Sequence, residues 1–135
     1  MYAFSSVDPF NVSCAGTKAC DDAFFPLFAG RTTEMAVAAL CNDRLEMRAM
    51  LMFQGDETFA PFPVSSVISA AQELFASAII LAHNHPSGLK EPGPYDLELT
   101  RRVQLCCEPL DIVLVDHLIY AGDYRYSFRQ HGLLD

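Results

Sequence analysis

From position 78 the sequence runs AIILAHNHP. Five apolar residues in succession leave neither face of an extended segment for water, so a strand formed here must be covered on both sides. Pro86 cannot donate to a β-ladder, and with Gly88 close behind it the strand has to give way to a loop. A chain containing such a strand needs packing layers above and below a sheet, which points to an α/β domain.

The rest of the sequence can supply those layers. Residues 33–41 carry the apolar run MAVAAL, which fits a second doubly buried strand and, less well, a helix. Asn42 and Asp43 form a turn signal, and residues 45–53 complete a hairpin that ends at Gly55 and the loop holding Pro61 and Pro63. A helix capped by Ser65 or Ser66 is expected to reach about Ser77, with Val67, Ala70, Ala71 and Leu74 along one face. Pro94 opens a second helix, expected to bury Leu99, Val103, Cys106 and Leu110 and to end near Pro109. Residues 112–115 are a short β-branched strand, Gly122 and Asp123 a turn, and residues 125–128 a last strand. The expectation is one α/β domain over residues 33–135, a mixed central sheet flanked by helices. Residues 1–32 read as an N-terminal arm with a short helix, too short to fold independently.

Charge narrows the function. Nine Lys and Arg against seventeen Asp and Glu give a formal net charge of −8, which opposes nucleic-acid binding, since phosphate recognition draws on clustered cations. Five cysteines, Cys14, Cys20, Cys41, Cys106 and Cys107, are odd in number and form no CxxC pair, so neither a disulfide framework nor a thiolate zinc site is expected. They read as small buried hydrophobes in a reducing cytoplasm. The N-terminus shows no basic stretch leading into an apolar one, and no segment reaches membrane-spanning length, so the expected setting is soluble and cytoplasmic.

His83 and His85 lie two residues apart, and the two-residue period of a strand turns both imidazoles to one side and Asn84 to the other. Two neutral imidazoles are half of a zinc site, and catalytic zinc usually takes three protein ligands and keeps one position open. Asp96 is the candidate third ligand: Pro86, Gly88, Pro92 and Gly93 make a loop that can fold back, setting the first turn of the next helix beside the strand end. A histidine taken alone is more often a hydrogen-bonded surface or core residue, an HxH pair alone gives many false positives, and an acid in a first helical turn complements the helix dipole. The combination of buried strand, HxH, Pro/Gly loop and helix-opening Asp is what points to a divalent metal.

The segment HNHPSG, followed by a proline and a helix-opening Asp before LELT, resembles the signature of RadC-type JAB/MPN domains, and the resemblance continues through VDHLIYAGDYRYSFRQHGLL. It implies the three-layer JAB/MPN architecture, similar to cytidine deaminases, and a Zn2+ ion on His83, His85 and Asp96. The family motif is HxH, seven residues, Ser or Thr, two residues and Asp, with an upstream Glu that maps to Glu34. The resemblance implies a zinc-dependent hydrolase of peptide or isopeptide bonds in which Glu34 is general base and proton shuttle, acting on a peptide or protein substrate. It also admits a catalytically inactive metal-binding interaction module, or a link to DNA repair or recombination, and it leaves room for a homo-oligomer. The chain departs from the motif at Gly93, where the family keeps the hydroxyl that steadies the oxyanion, and Ser87 or a backbone amide of the Gly93 loop is a candidate substitute. Asp116 and His117 also match the family and are expected near a strand end, supporting the ligands from behind.

Overall fold

The computed structural model describes residues 2–5 and 12–134. The elements run β1 (Tyr2–Ser5), α1 (Thr17–Phe28), β2 (Met35–Cys41), β3 (Met47–Gln54), α2 (Val64–Glu73), β4 (Ala78–Asn84), α3 (Pro94–Cys107), a 3-10 turn (Glu108–Leu110), β5 (Val113–Ala121) and β6 (Tyr124–Ser127). They build a single α/β domain around a mixed sheet of order β1-β3-β2-β4-β5-β6. β4 sits in its interior, antiparallel to β2 and parallel to β5. All seven residues of β2 and all seven of β4 are buried, and the pairing of Met35–Cys41 with β3 and β4 makes the apolar run within residues 33–41 strand and not helix.

Period-two alternation sorts the apolar side chains into two cores. Ala36, Ala38 and Leu40 of β2 and Ile79 and Leu81 of β4 face α2 and α3, meeting Val67, Ala71, Leu99 and Val103. Val37 and Ala39 of β2 and Ile80 and Ala82 of β4 face the opposite way and meet Cys20, Phe24 and Phe28 of α1. The result is three layers, helix, sheet, helix. Asp21 pins α1 to the sheet: its carboxylate accepts from the Tyr120 hydroxyl at 3.0 Å and pairs with Arg125.

Four local expectations need correction. α2 begins at Val64 with Pro63 in the cap position and no side-chain cap, so neither Ser65 nor Ser66 starts it. It stops at Glu73 because Phe75 takes φ 53° and Ser77 already donates its N–H to the Cys41 carbonyl, entering the sheet. On α3 the buried row is Leu99, Val103 and Cys107 at successive steps of four, leaving Cys106 and Leu110 exposed. β5 extends to Ala121, well past the expected Val115, because its second half pairs with the end of β4.

β5 carries an irregularity with large effects. Ile79 pairs with Leu114 but Ile80 pairs with Asp116, so Val115 is an extra residue in the ladder, a β-bulge. Beyond it the alternation is offset by one. Leu114 and Ile119 therefore share the α2/α3 face, Leu118 and Tyr120 the α1 face, and His117 turns toward α3.

The loop after β3 comes close to the α2/α3 side of the sheet, and Gly55 sits where it turns. A Cβ on Gly55 would lie 2.1 Å from the Phe59 carbonyl oxygen and 2.5 Å from the Ala60 Cα, both backbone atoms that cannot swing aside. Gly55→Ala is therefore expected to lower stability by about 1–3 kcal/mol, measured as a shifted urea midpoint; an unchanged midpoint would show that the loop yields freely.

Candidate metal centre

Alternation along β4 puts His83 and His85 on the same face as Ile79 and Leu81, and the loop at residues 86–93 brings α3 back across them. Asp96, in the first turn of α3, places Oδ1 3.3 Å from His83 Nε2 and Oδ2 3.4 Å from His85 Nε2. The two Nε2 atoms are 3.0 Å apart. The Gly93 amide holds the carboxylate in place by donating to Asp96 Oδ2 at 2.9 Å. His83 and His85 are buried, and the Asp96 side chain is nearly so.

Glu34 reaches the cluster through strand register. Ala36 pairs with His83 across the antiparallel β2–β4 ladder, so Glu34, two residues earlier, stands across from His85. Ligand atoms of Glu34, His83 and His85 all lie within 4.8 Å of one another, a cluster able to hold a metal ion. Asn84, on the opposite face of β4, fixes this arrangement. Its Oδ1 accepts from the Met35 amide at 2.7 Å and its Nδ2 donates to the Thr33 carbonyl at 3.1 Å, gripping the backbone on either side of Glu34. The sequence reading noted only that Asn84 points away from the histidines. The signal it lacked was the pairing of β4 with β2, a contact spanning 49 residues.

The chemistry of the donor set suits a cation. His85 Nδ1 lies 2.8 Å from the Leu89 carbonyl, which can only accept, so Nδ1 carries a proton and Nε2 supplies the lone pair of the neutral ring; burial opposes charge here, yet the Asp96 carboxylate and the Leu89 carbonyl raise the His85 pKa. That lone pair faces a carboxylate and a second imidazole nitrogen. Ligand atoms 2.0–2.1 Å from a tetrahedral zinc stand roughly 3.3–3.4 Å from each other, and separations of 3.0, 3.3 and 3.4 Å come close to that figure.

Titration follows the same geometry. Burial lowers the His83 pKa, and burial together with the nearby His83 takes His117 well below the usual histidine range, so both are neutral near pH 7. Burial works against Asp96, yet its contacts with His83 and His85 and the Gly93 amide hold its carboxyl well below the usual carboxylate range. Burial pushes Glu34 up to about 7, with His85 opposing and the Asp96 and Asp56 carboxylates adding to it.

A cavity of about 270 Å³ opens on the cluster, lined by Glu34, His83, His85 and Asp96 and walled by apolar side chains that include Phe62 and Leu99. Phe59 and Tyr95 stand edge to face at 4.8 Å on its rim. The remaining candidates divide. His117 joins the cluster, its Nε2 2.8 Å from His83 Nδ1 and its Nδ1 2.6 Å from Thr100 Oγ1. Asp116 does not: the bulge at Val115 leaves it on the α1 face, where its carboxylate accepts from Ser127 Oγ and from the Arg129 amide. Nor is the pair at a strand end, since both residues lie within β5. Ser87 is exposed on the cavity wall, its Oγ accepting from the Leu89 amide at 3.3 Å. The Gly93 amide, bonded to Asp96, is not available to a substrate oxygen.

A sequence profile described as the RadC-like JAB domain matches residues 17–133. The chain belongs to the RadC-like JAB domain family. Among its relatives are proteins that carry the name UPF0758 protein. The one from Acidithiobacillus ferrooxidans is 41% identical over 97 residues, 72% of this chain and 43% of the relative. The one from Idiomarina loihiensis is 36% identical over 99 residues, 73% of this chain and 44% of the relative. The chain thus spans less than half the length of these RadC-like relatives, and their names state no activity. Among the described residues, no helix is long and apolar enough to cross a membrane.

Asn84→Ala would leave the buried Met35 amide without its acceptor, and a loss of about 1–3 kcal/mol in chemical denaturation is expected. Unchanged stability would mean that the amide finds another partner and that Asn84 does not hold Glu34 in place.

Proposed function

We propose that His83, His85 and Asp96 hold a zinc ion and that the protein hydrolyses peptide or isopeptide bonds. The observation that carries the reading is the convergence of those three donor groups on one point of a cavity wall that also bears Glu34. Held by these residues, zinc would supply Lewis-acid chemistry, polarising a carbonyl and bringing the pKa of water to about 7.

The chain's own groups do the rest. Glu34, half-buried beside His85, takes a proton from the attacking water and delivers it to the departing amine; a carboxyl held near neutrality is suited to both transfers. Asn84, by gripping the Thr33 and Met35 backbone, keeps Glu34 aimed at the cavity. The apolar walls exclude water around the reacting bond and receive uncharged parts of a peptide or protein substrate. Ser87, which lines the cavity, would steady a developing oxyanion with its hydroxyl, in the role the motif assigns to the residue at Gly93.

A second reading, a metal-binding interaction module without turnover, is favoured by Gly93 itself, because a missing oxyanion donor costs on the order of a hundredfold or more in rate. Its backbone, at φ −86° and ψ 176°, is ordinary extended chain, and a Cβ there would meet only Asp96 Oδ2, at 3.8 Å. A serine therefore fits.

Zinc titration of the purified chain is expected to give one ion per chain, lost in His83→Ala and in His85→Ala; equal binding by these variants would refute the site. On a panel of peptide and isopeptide substrates, Glu34→Gln is expected to keep zinc and lose hydrolysis, and Ser87→Ala to lower the rate by on the order of a hundredfold, a loss that Gly93→Ser restores. Zinc retained with no hydrolysis in either wild type or Gly93→Ser would select the interaction module.

A further inference from the structure

We propose that Thr100 and His117 are positioning residues that fix the proton of His83 on Nδ1 and so keep His83 Nε2 free to bind a metal. This rests on the zinc reading above and concerns residues outside the three ligands.

The argument is an accounting of hydrogens. Thr100 Oγ1 lies 2.7 Å from the Asp96 backbone carbonyl and 2.6 Å from His117 Nδ1. A hydroxyl has one hydrogen to donate, and a carbonyl has none. Two oxygens at 2.7 Å with no hydrogen between them repel, so the Thr100 hydrogen is spent on Asp96. The Thr100 oxygen is then the acceptor toward His117, whose proton must sit on Nδ1. His117 Nε2 is thereby a bare acceptor. It lies 2.8 Å from His83 Nδ1, which must be the donor. One neutral ring carries one such proton, so His83 Nε2 has none.

The relay runs in one sense: His83 Nδ1–H to His117 Nε2, His117 Nδ1–H to Thr100 Oγ1, Thr100 Oγ1–H to the Asp96 carbonyl. It links one proposed ligand to the backbone of another and passes through residues that are 1% and 2% exposed, where water cannot step in. The faces of His117 are equally fixed: its ring stacks on Phe128 at 4.5 Å and 13°, so it cannot tilt to change partners.

Without this relay the metal-free site has a more comfortable alternative. With the opposite tautomers, His117 donates from Nε2 to His83, and His83 donates from Nε2 to Asp96 Oδ1, 3.3 Å away. That arrangement satisfies both groups and occupies the lone pair a metal requires. The Thr100 hydroxyl opposes it, because its own hydrogen is already committed and it needs a donor from His117.

The test uses the full chain, stripped of metal with a chelator, and Zn2+ as the probe. Long-range proton–nitrogen NMR of nitrogen-15 histidine is expected to show His83 protonated at Nδ1 in the wild type. Thr100→Val, which is nearly isosteric and cannot accept, is expected to move that proton to Nε2 and weaken zinc by about 10–100-fold, whereas Thr100→Ser keeps the wild-type tautomer and affinity. His117→Gln, whose amide offers an acceptor toward His83 and a donor toward Thr100, is expected to bind more tightly than His117→Phe. A His83 proton on Nε2 in the wild type, or a Thr100→Val variant that keeps both tautomer and affinity, would overturn the proposal. The two readings fail separately. The assigned tautomer in a wild type that binds no zinc would sink the metal reading and leave the relay intact; tight zinc binding with the reverse tautomer would sink the relay alone.

Discussion

Everything at the proposed metal centre depends on the placement of β4 as an interior strand, paired on both sides. Its antiparallel register with β2 fixes where Glu34 stands, and its parallel register with β5 fixes where His117 stands. A slip of one residue on either side would reverse the faces of one strand relative to the other. Residues 78–82 are apolar on both faces, so polarity does not set that register; on the β2 side Asn84 holds it through its bonds to the Met35 amide and the Thr33 carbonyl. The same contacts that stabilise the domain thus set the spacing of its polar cluster.

That cluster is a local conflict. A carboxylate and two imidazole nitrogens, of which the relay leaves His83 Nε2 a bare acceptor, crowd within 3.4 Å in a largely desolvated pocket. Buried acceptors without donors cost stability, and the surrounding structure offsets that cost with fixed partners: Gly93 for Asp96, Leu89 for His85, His117 for His83. Sites of this kind break the rule of satisfied polar groups where function requires it.

Much of this was legible in the sequence, for physical reasons that can be stated. Strands β2 and β4 announce themselves because burial on both faces demands unbroken apolar runs, and α3 because Pro94 and the Leu99–Val103 step mark a start and a face. The HxH pair and Asp96 were legible because strand period and a Pro/Gly loop constrain direction over short distances. Glu34 was placed only through resemblance to the family, since nothing local distinguishes it from a solvated acid. What stayed hidden depends on contacts between distant segments. Asn84 acts across 49 residues, and Thr100 meets His117 across 17. The full length of β5 was masked because Asp116 and His117 interrupt its apolar pattern, and no residue in that stretch signals that Val115 is supernumerary.

The bulge at Val115 sorts two adjacent polar residues into separate networks on opposite faces of the sheet, His117 toward α3 and Asp116 toward Ser127 and Arg129. A ladder that ran regularly through Val115 would exchange their destinations, sending a carboxylate into the imidazole cluster and an imidazole among the arginines. Changes of chain length are ordinarily absorbed by loops. Here the interior of a strand absorbs one: β5 could lose Val115 with Asp116 still beside Ile80 and His117 beside Leu81, whereas one residue gained or lost beyond it would turn over every face that follows.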